Sequence, residues 1–275
     1  MICKVRDVAI HYKVVGQGRP IVSLHGFTLD HRSMIGCFEP IFTHREGWQR
    51  IYLDLPGHGK TAGREWIQSS DDVLDLLFGF IDTVIPDKRY LVAGLSYGGY
   101  LAQGLVNKKS DMVDGVLLIV PRIVGNPQAR ALPPKMVIAR EEAFLASLSP
   151  GDREDFEEVA VIQTQNHWQR YSQVITPAVK IADTAFLERF DPRKDDFSFA
   201  INSPSFRFDK PTLILVGRQD HWIGYRDAWN ILEHYPRATF AVLDSAGHAL
   251  QLEQSLLFNA LVSEWLDRVE EMQIS

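Results

Sequence analysis

Apolar positions along the chain change period several times, and each change marks a predicted element. Over residues 2–15 apolar and polar residues alternate (Val8, Ile10, Tyr12, Val14). That is the period of a half-buried strand, and it predicts a hairpin on a sheet edge. A turn cluster at 16–20 follows. Residues 20–24, 90–95, 113–120 and 211–217 are short continuous apolar runs, the kind buried on both faces of a parallel sheet. Residues 50–54 and 238–243 read as further strands. Between these runs the period becomes helical. A helix is predicted near 34–42. Another carries Val73, Leu76, Leu77, Phe80, Ile81 and Val84 on one face. Ser69 or Ser70 caps it, and Asp71 and Asp72 stand in its first turn. Helices are also predicted at 224–235 and at 253–269, the last with Leu257, Ala260, Leu261, Trp265 and Leu266 inward. Strands alternating with helices at this spacing imply right-handed βαβ units. The fold class is therefore α/β, a mostly parallel doubly wound sheet flanked by helices.

The rhythm fails from 121 to 208. No parallel-strand pattern is read there. Pro133-Pro134, Pro150-Gly151, Pro177, Pro192 and Pro204 punctuate helical pieces at 135–148 and 152–165, and aromatic residues are dense. The expected organisation is a core of 1–120 with 209–275, and a helical cap of 121–208 over the strand ends. The plainer alternative is a helical part of one core.

One stretch points to chemistry. The apolar run at 90–95 ends in Gly94-Leu-Ser96-Tyr-Gly98, which fits G-x-S-x-G, a nucleophile elbow. A strand that turns directly into a helix strains its turn residue and demands small neighbours two positions either side. The strain leaves Ser96 Oγ exposed above the positive end of the next helix. A serine needs a base, and the base needs a carboxylate to fix its tautomer. In a doubly wound sheet all three come from the carboxyl ends of strands. Ser96 follows one strand, Asp220 lies three residues beyond Gly217, and His248 lies in the loop after the last strand. Asp244 could compete with Asp220, but four residues before His248 it suits a loop cap better. After the strand at 113–120 the chain reads Pro121-Arg122 and offers no acid.

Together the pieces resemble the α/β-hydrolase fold superfamily, in its cap-bearing branch. They are His25-Gly-Phe27, Asp54-Leu-Pro-Gly-His-Gly59, Gly94-Leu-Ser-Tyr-Gly-Gly99, Gly217-Arg-Gln-Asp220 and Ala246-Gly-His248. The order Ser, Asp, His is that of the family's triad. The resemblance implies an oxyanion hole from the backbone N–H groups of Phe27 and Tyr97, and a serine hydrolase acting through an acyl-enzyme. The expected substrate is a carboxylic ester or lactone of a small, fairly apolar acid. Relatives that use an elbow aspartate, the epoxide hydrolases and haloalkane dehalogenases, are disfavoured by Ser96. Carbon–carbon bond hydrolases keep the serine but typically carry tryptophan after the histidine, where this chain has Ala249. Small-molecule receptors of the same fold remain a further alternative, as does perhydrolysis as a side activity.

Composition narrows the setting. The chain has 275 residues, enough for one large domain with an insertion, and 45% are hydrophobic, enough for a sizeable core. A net charge of −6 argues against a nucleic-acid partner. The two cysteines, Cys3 and Cys37, have neither redox nor metal spacing. No apolar run approaches a membrane span, and the charged N-terminus lacks a signal-peptide core. A cytoplasmic monomer or homodimer acting on a small molecule is expected. No cofactor motif and no metal-type spacing is read. Trp168, Tyr171 and Trp222 are candidates for the substrate pocket or for packing within and under the insertion. Arg122 is a candidate partner for a substrate carboxylate or for a hinge salt bridge. His25 suits support of the oxyanion loop, and His58 a structural turn.

Overall fold

The computed structural model describes residues 1–191 and 196–272. Its eight-stranded sheet comprises β1 (Ile2–Val5), β2 (Val8–Val15), β3 (Arg19–Leu24), β4 (Trp48–Leu53), β5 (Tyr90–Leu95), β6 (Val113–Ile119), β7 (Thr212–Gly217) and β8 (Ala238–Leu243). The spatial order is β1-β2-β4-β3-β5-β6-β7-β8. The hairpin β1–β2 and the β2–β4 pair are antiparallel, and every pair from β4 to β8 is parallel. Every residue of β5, β6 and β7 is buried, as their unbroken apolar runs require. β8, at the edge, is mostly half-exposed.

The helices α1 (His31–Phe38), α2 (Ser70–Val84) and α3 (Tyr97–Lys109) alternate with these strands. α2 starts at a capping box: Ser69 Oγ accepts from the Asp72 N–H, and the Asp72 side chain accepts from the Ser69 N–H. Its buried Leu74, Leu77 and Ile81 join α3 residues Leu101 and Leu105 on one face of the sheet. Met34 and Phe38 of α1 cover the other face with Phe258 and Trp265 of the closing helix.

Between β6 and β7 the chain leaves the sheet. It forms α4 (Pro150–Val159), α5 (Gln165–Val174), α6 (Thr184–Arg189) and shorter turns. Several expectations are corrected here. Residues 135–148 are helical only at Glu142–Leu145, because Ala139–Arg140 pairs in parallel with Ile162–Gln163. A short parallel pair therefore exists where none was read. The β-branched neighbours Val137, Ile138, Val161 and Ile162 favour extended backbone. That run also ends α4 before the expected 165. Pro150, read as a breaker, is a first-turn proline of α4, with Ser149 capping it. Pro192 lies outside the described residues. Leu145, Phe156, Tyr171 and Ile175 pack with Ala249 and Leu252 in a separate apolar cluster.

The C-terminal part needs two more corrections. The helix expected at 224–235 is only Arg226–Trp229 followed by a 3₁₀ turn at Leu232–His234. The closing helix is α7 (Ser255–Glu271), and its inward face is Phe258, Val262, Trp265, Leu266 and Val269. Leu257 and Ala260 point outward, because a separate turn at Leu250–Glu253 resets the start of the helix. Among the described residues no helix is long and apolar enough to cross a membrane.

Candidate active site

β5 turns into α3 at Ser96, whose φ is 53° and ψ −110°. A non-glycine residue held there costs about 1–3 kcal/mol. The neighbours explain how it persists. A Cβ at Gly94 would lie 2.2 Å from the Gly98 carbonyl oxygen, and one at Gly98 would lie 2.3 Å from that of Leu24. Only glycine lets β5, α3 and β3 approach this closely. The Ser96 N–H donates to Ile119 O, and Ser96 O accepts from Arg122 N–H, so β6 holds the turn from the side.

The structure brings Ser96, His248 and Asp220 together. Ser96 Oγ lies 2.9 Å from His248 Nε2, and His248 Nδ1 lies 2.8 Å from Asp220 Oδ2. A carboxylate can only accept, so Nδ1 carries the proton and Nε2 accepts from the serine hydroxyl. Asp220 is wholly buried. Burial alone would raise its carboxyl. The His248 contact and the amides of Ile223 and Trp222 outweigh it and hold the group below its ordinary value. Those amides donate to Oδ1 at 3.0 and 2.9 Å. Asp244 takes no part: it accepts from Gln219 Nε2 at 2.8 Å.

His25 and the loop after β3 lie close to the same serine: a Cβ placed on Gly26 would lie 3.4 Å from Ser96 Cβ. His25 is fully buried, and its Nε2 accepts from Leu55 N–H at 2.9 Å. Nδ1 is therefore the donor, to Gly26 O at 2.8 Å. Leu29 N–H also donates to that oxygen. The Gly26–Phe27 peptide is trans, so the Phe27 N–H points opposite to the anchored carbonyl. Tyr97, the second expected donor, opens α3, where first-turn N–H groups project from the helix end. Its phenol lies 3.2 Å from Ser70 Oγ.

A cavity of about 740 Å³ opens at Ser96 and His248. Phe27, Tyr97, Tyr171, Trp222 and Arg122 line it. The Trp222 ring lies 5.4 Å from the His248 ring. Trp168 is not in the wall; it packs on Phe156 and Tyr171. Arg122 is buried with its guanidinium 3.5 Å from the Tyr100 ring centre and 3.4 Å from Asp196. Among the described residues none of its side-chain nitrogens has a hydrogen-bond partner. Leu29, Ile175 and Val179 add apolar wall that no motif announced.

A second cluster was invisible to spacing. His11, His31 and Asp54 place their ligand atoms within 4.8 Å of one another, a grouping able to meet a metal ion. Asp54 is already satisfied as a staple. It accepts from both imidazoles at 2.9 and 2.7 Å and from the amides of His31 and Lys60. Burial would raise its carboxyl, but the bonds from His31 and the nearby His25 hold it far below the ordinary range. His58 Nδ1 donates to Pro56 O at 2.8 Å, and burial pushes the imidazole down to about 3.

A family model described as the alpha/beta hydrolase family matches residues 21–261. The chain belongs to the α/β hydrolase family. A solved α/β superfamily hydrolase from Oenococcus oeni PSU-1 superposes with a TM-score of 0.87 at 29% identity, covering 98% of this chain and 99% of that one. A pimeloyl-[acyl-carrier protein] methyl ester esterase from Legionella pneumophila (strain Corby) is 24% identical, covering 94% of this chain and 99% of its own length. A 2-hydroxy-6-oxononadienedioate/2-hydroxy-6-oxononatrienedioate hydrolase from Paraburkholderia phymatum is 23% identical, over 94% of this chain and 91% of its own. Membership of the α/β hydrolase family and these relatives make the protein a hydrolase.

Proposed function

We propose that this α/β hydrolase is a serine esterase or lactonase, with Ser96 as nucleophile, His248 as general base and Asp220 as the group that orients it. The observation that carries the reading is the continuous relay Ser96–His248–Asp220 at 2.9 and 2.8 Å, facing a cavity large enough for a small substrate. His248 Nε2 takes the hydroxyl proton as Ser96 Oγ attacks the carbonyl carbon. The oxyanion is received by the N–H groups of Phe27 and Tyr97, each such donor being worth about 10²–10³-fold. The histidine then protonates the leaving group. Water, activated by the same nitrogen, releases the acid from the acyl-enzyme. Asp220 stays ionised, as its depressed carboxyl favours. The β6–β7 segment, 121–208, serves as the cap that walls the pocket through Tyr171, Ile175 and Val179. Trp222 walls the base side. Arg122, buried at the wall with its guanidinium near Asp196 but without a side-chain hydrogen bond among the described residues, would meet a polar or anionic substrate group.

The test is hydrolysis of a chromogenic ester series of increasing acyl length by the wild type and by Ser96→Ala. Wild-type turnover that falls to background in the variant is expected, and the preferred acyl length sizes the pocket. No turnover of any ester would refute the esterase reading. Carbon–carbon bond hydrolysis, which the Paraburkholderia relative's likeness brings in, would then be assayed next.

A further inference from the structure

Among the buried acids that the proposed mechanism leaves unused, one lies beside the base. Glu253, in the turn that follows His248, is 7% exposed. Its Oε2 accepts from Gly247 N–H at 2.6 Å, and Gly247 directly precedes the base. Its Oε1 accepts from Val161 N–H at 2.8 Å. Val161 and Ile162 belong to the β6–β7 segment, where Ile162 pairs with Ala139. A single carboxylate thus joins the histidine loop to the stretch just beyond the cavity-lining Glu158 and Val159. A Cβ at Gly247 would lie 2.9 Å from Val161 Cγ1, so the Val161 side chain packs closely over the Gly247 backbone.

We propose that Glu253 is a positioning residue for His248: ionised, it clamps the histidine loop to the β6–β7 segment, and protonation opens that clamp. The inference rests on His248 acting as the base. An ionised carboxylate offers acceptors to every amide around it, whereas a protonated one places an O–H against an N–H. Burial pushes this carboxyl up to about 7, against the pull of the Gly247, Val161 and Ile162 amides and with the charge of Asp220 adding to the rise. The other charged groups around it are engaged elsewhere. His167 bonds Thr164 Oγ1 and the Glu253 backbone, and Arg170 bonds Leu252 O and Ser255 Oγ. Glu157 pairs with Arg140 and Arg153, and Glu158 with Lys135 and His221. His248 itself points to Asp220.

The sign separates positioning from plain stability. A carboxyl raised in the folded state adds stability below its ordinary value, and that contribution is lost as pH rises through about 7. Acidification from pH 8 to 6 therefore strengthens the fold through this group while loosening the clamp. Two measurements test it. In Glu253→Gln the amide NH₂ must face a backbone donor, so kcat should fall about 10–100-fold at pH 8 with KM little changed. The acid limb of its kcat/KM profile should lose one proton relative to wild type. Identical limbs and a kcat within about 2-fold of wild type would overturn the proposal. Should the variant not fold, wild-type hydrogen exchange decides without any turnover. Protection at Gly247 and Val161, corrected for intrinsic rate, should drop from pH 8 to 6 while β5 and β6 hold theirs. Unchanged protection overturns the clamp even if esters are hydrolysed. A drop without ester turnover would leave the clamp standing and fault the esterase reading instead.

Discussion

Replacing Asp220 by Asn changes one atom and should remove the base. Asp220 Oδ1 accepts the amides of Trp222 and Ile223, and Oδ2 accepts His248 Nδ1–H. The asparagine has one oxygen, and the two amides can only donate, so the oxygen stays with them. Its NH₂ then faces His248 Nδ1, which must accept. The imidazole proton moves to Nε2 and points at Ser96 Oγ, 2.9 Å away. The serine keeps its place but has nowhere to send its proton. By analogy with the same change in a serine protease the loss in kcat is about 10⁴-fold. That is roughly 5 kcal/mol on the barrier, with KM altered only a few-fold. Hydrolysis of a p-nitrophenyl ester at pH 8 measures it. Because Asp220 is depressed in the fold, its stabilising contribution is present above the ordinary carboxylate value and lost as pH falls. The variant should therefore melt lower than wild type at pH 7 and converge with it at acid pH. Asp244→Asn is the control: that carboxylate bonds Gln219, not His248, and should keep kcat within about 3-fold. Asp220→Asn activity within tenfold of wild type would refute the relay.

Two further outcomes follow from packing and charge. Gly98→Ala places a Cβ 2.3 Å from Leu24 O and 2.6 Å from His25 O, both backbone; Tm should fall by about 3–10 °C, whereas Gly151→Ala, with nothing within 4 Å, should shift it by less than about 2 °C. An unchanged Tm for Gly98→Ala would remove the steric account of the elbow. Asp54→Asn breaks a buried four-donor staple and should cost about 1–3 kcal/mol in urea unfolding at pH 7. Since Asp54 is depressed in the fold, the deficit should shrink as pH falls below the ordinary carboxylate value, and equal deficits at pH 7 and 3 would count against that charge-based reading.

The sheet was legible because its strands are buried on both faces. A run such as Leu91-Val-Ala can satisfy neither a helix stripe nor a solvent face, so its place in a parallel sheet is forced. α2 was legible for a complementary reason: its cap and its stripe agree, Ser69 with Asp72 at the end and Val73 to Ile81 along the face. α7 shows how this fails. Leu256 and Leu257 lie beside the true stripe, and apolar identity alone cannot tell Leu257, 47% exposed, from the buried Phe258. What rotates the face is the preceding Leu250–Glu253 turn, which Glu253 ties back to Gly247 and, by a tertiary contact, to Val161.

The same distinction divides the site. Residues at strand ends could be read because topology, not side-chain packing, delivers them to one edge: β5 brings Ser96, β7 Asp220 and the loop after β8 His248. The pocket wall could not. Trp168 and Tyr171 sit three positions apart on α5, are chemically similar and both pack on Phe156, yet only Tyr171 also lines the cavity. Their fates depend on how α5 lies on Ala249 and Leu252, and that is set by non-local pairs such as Arg170 with the Leu252 carbonyl. Each of these contacts returns to the loop that carries His248. The wall facing the substrate and the nitrogen proposed as base therefore share one anchorage. A change in the β6–β7 segment that shifts this anchorage should register in kcat as well as in substrate preference.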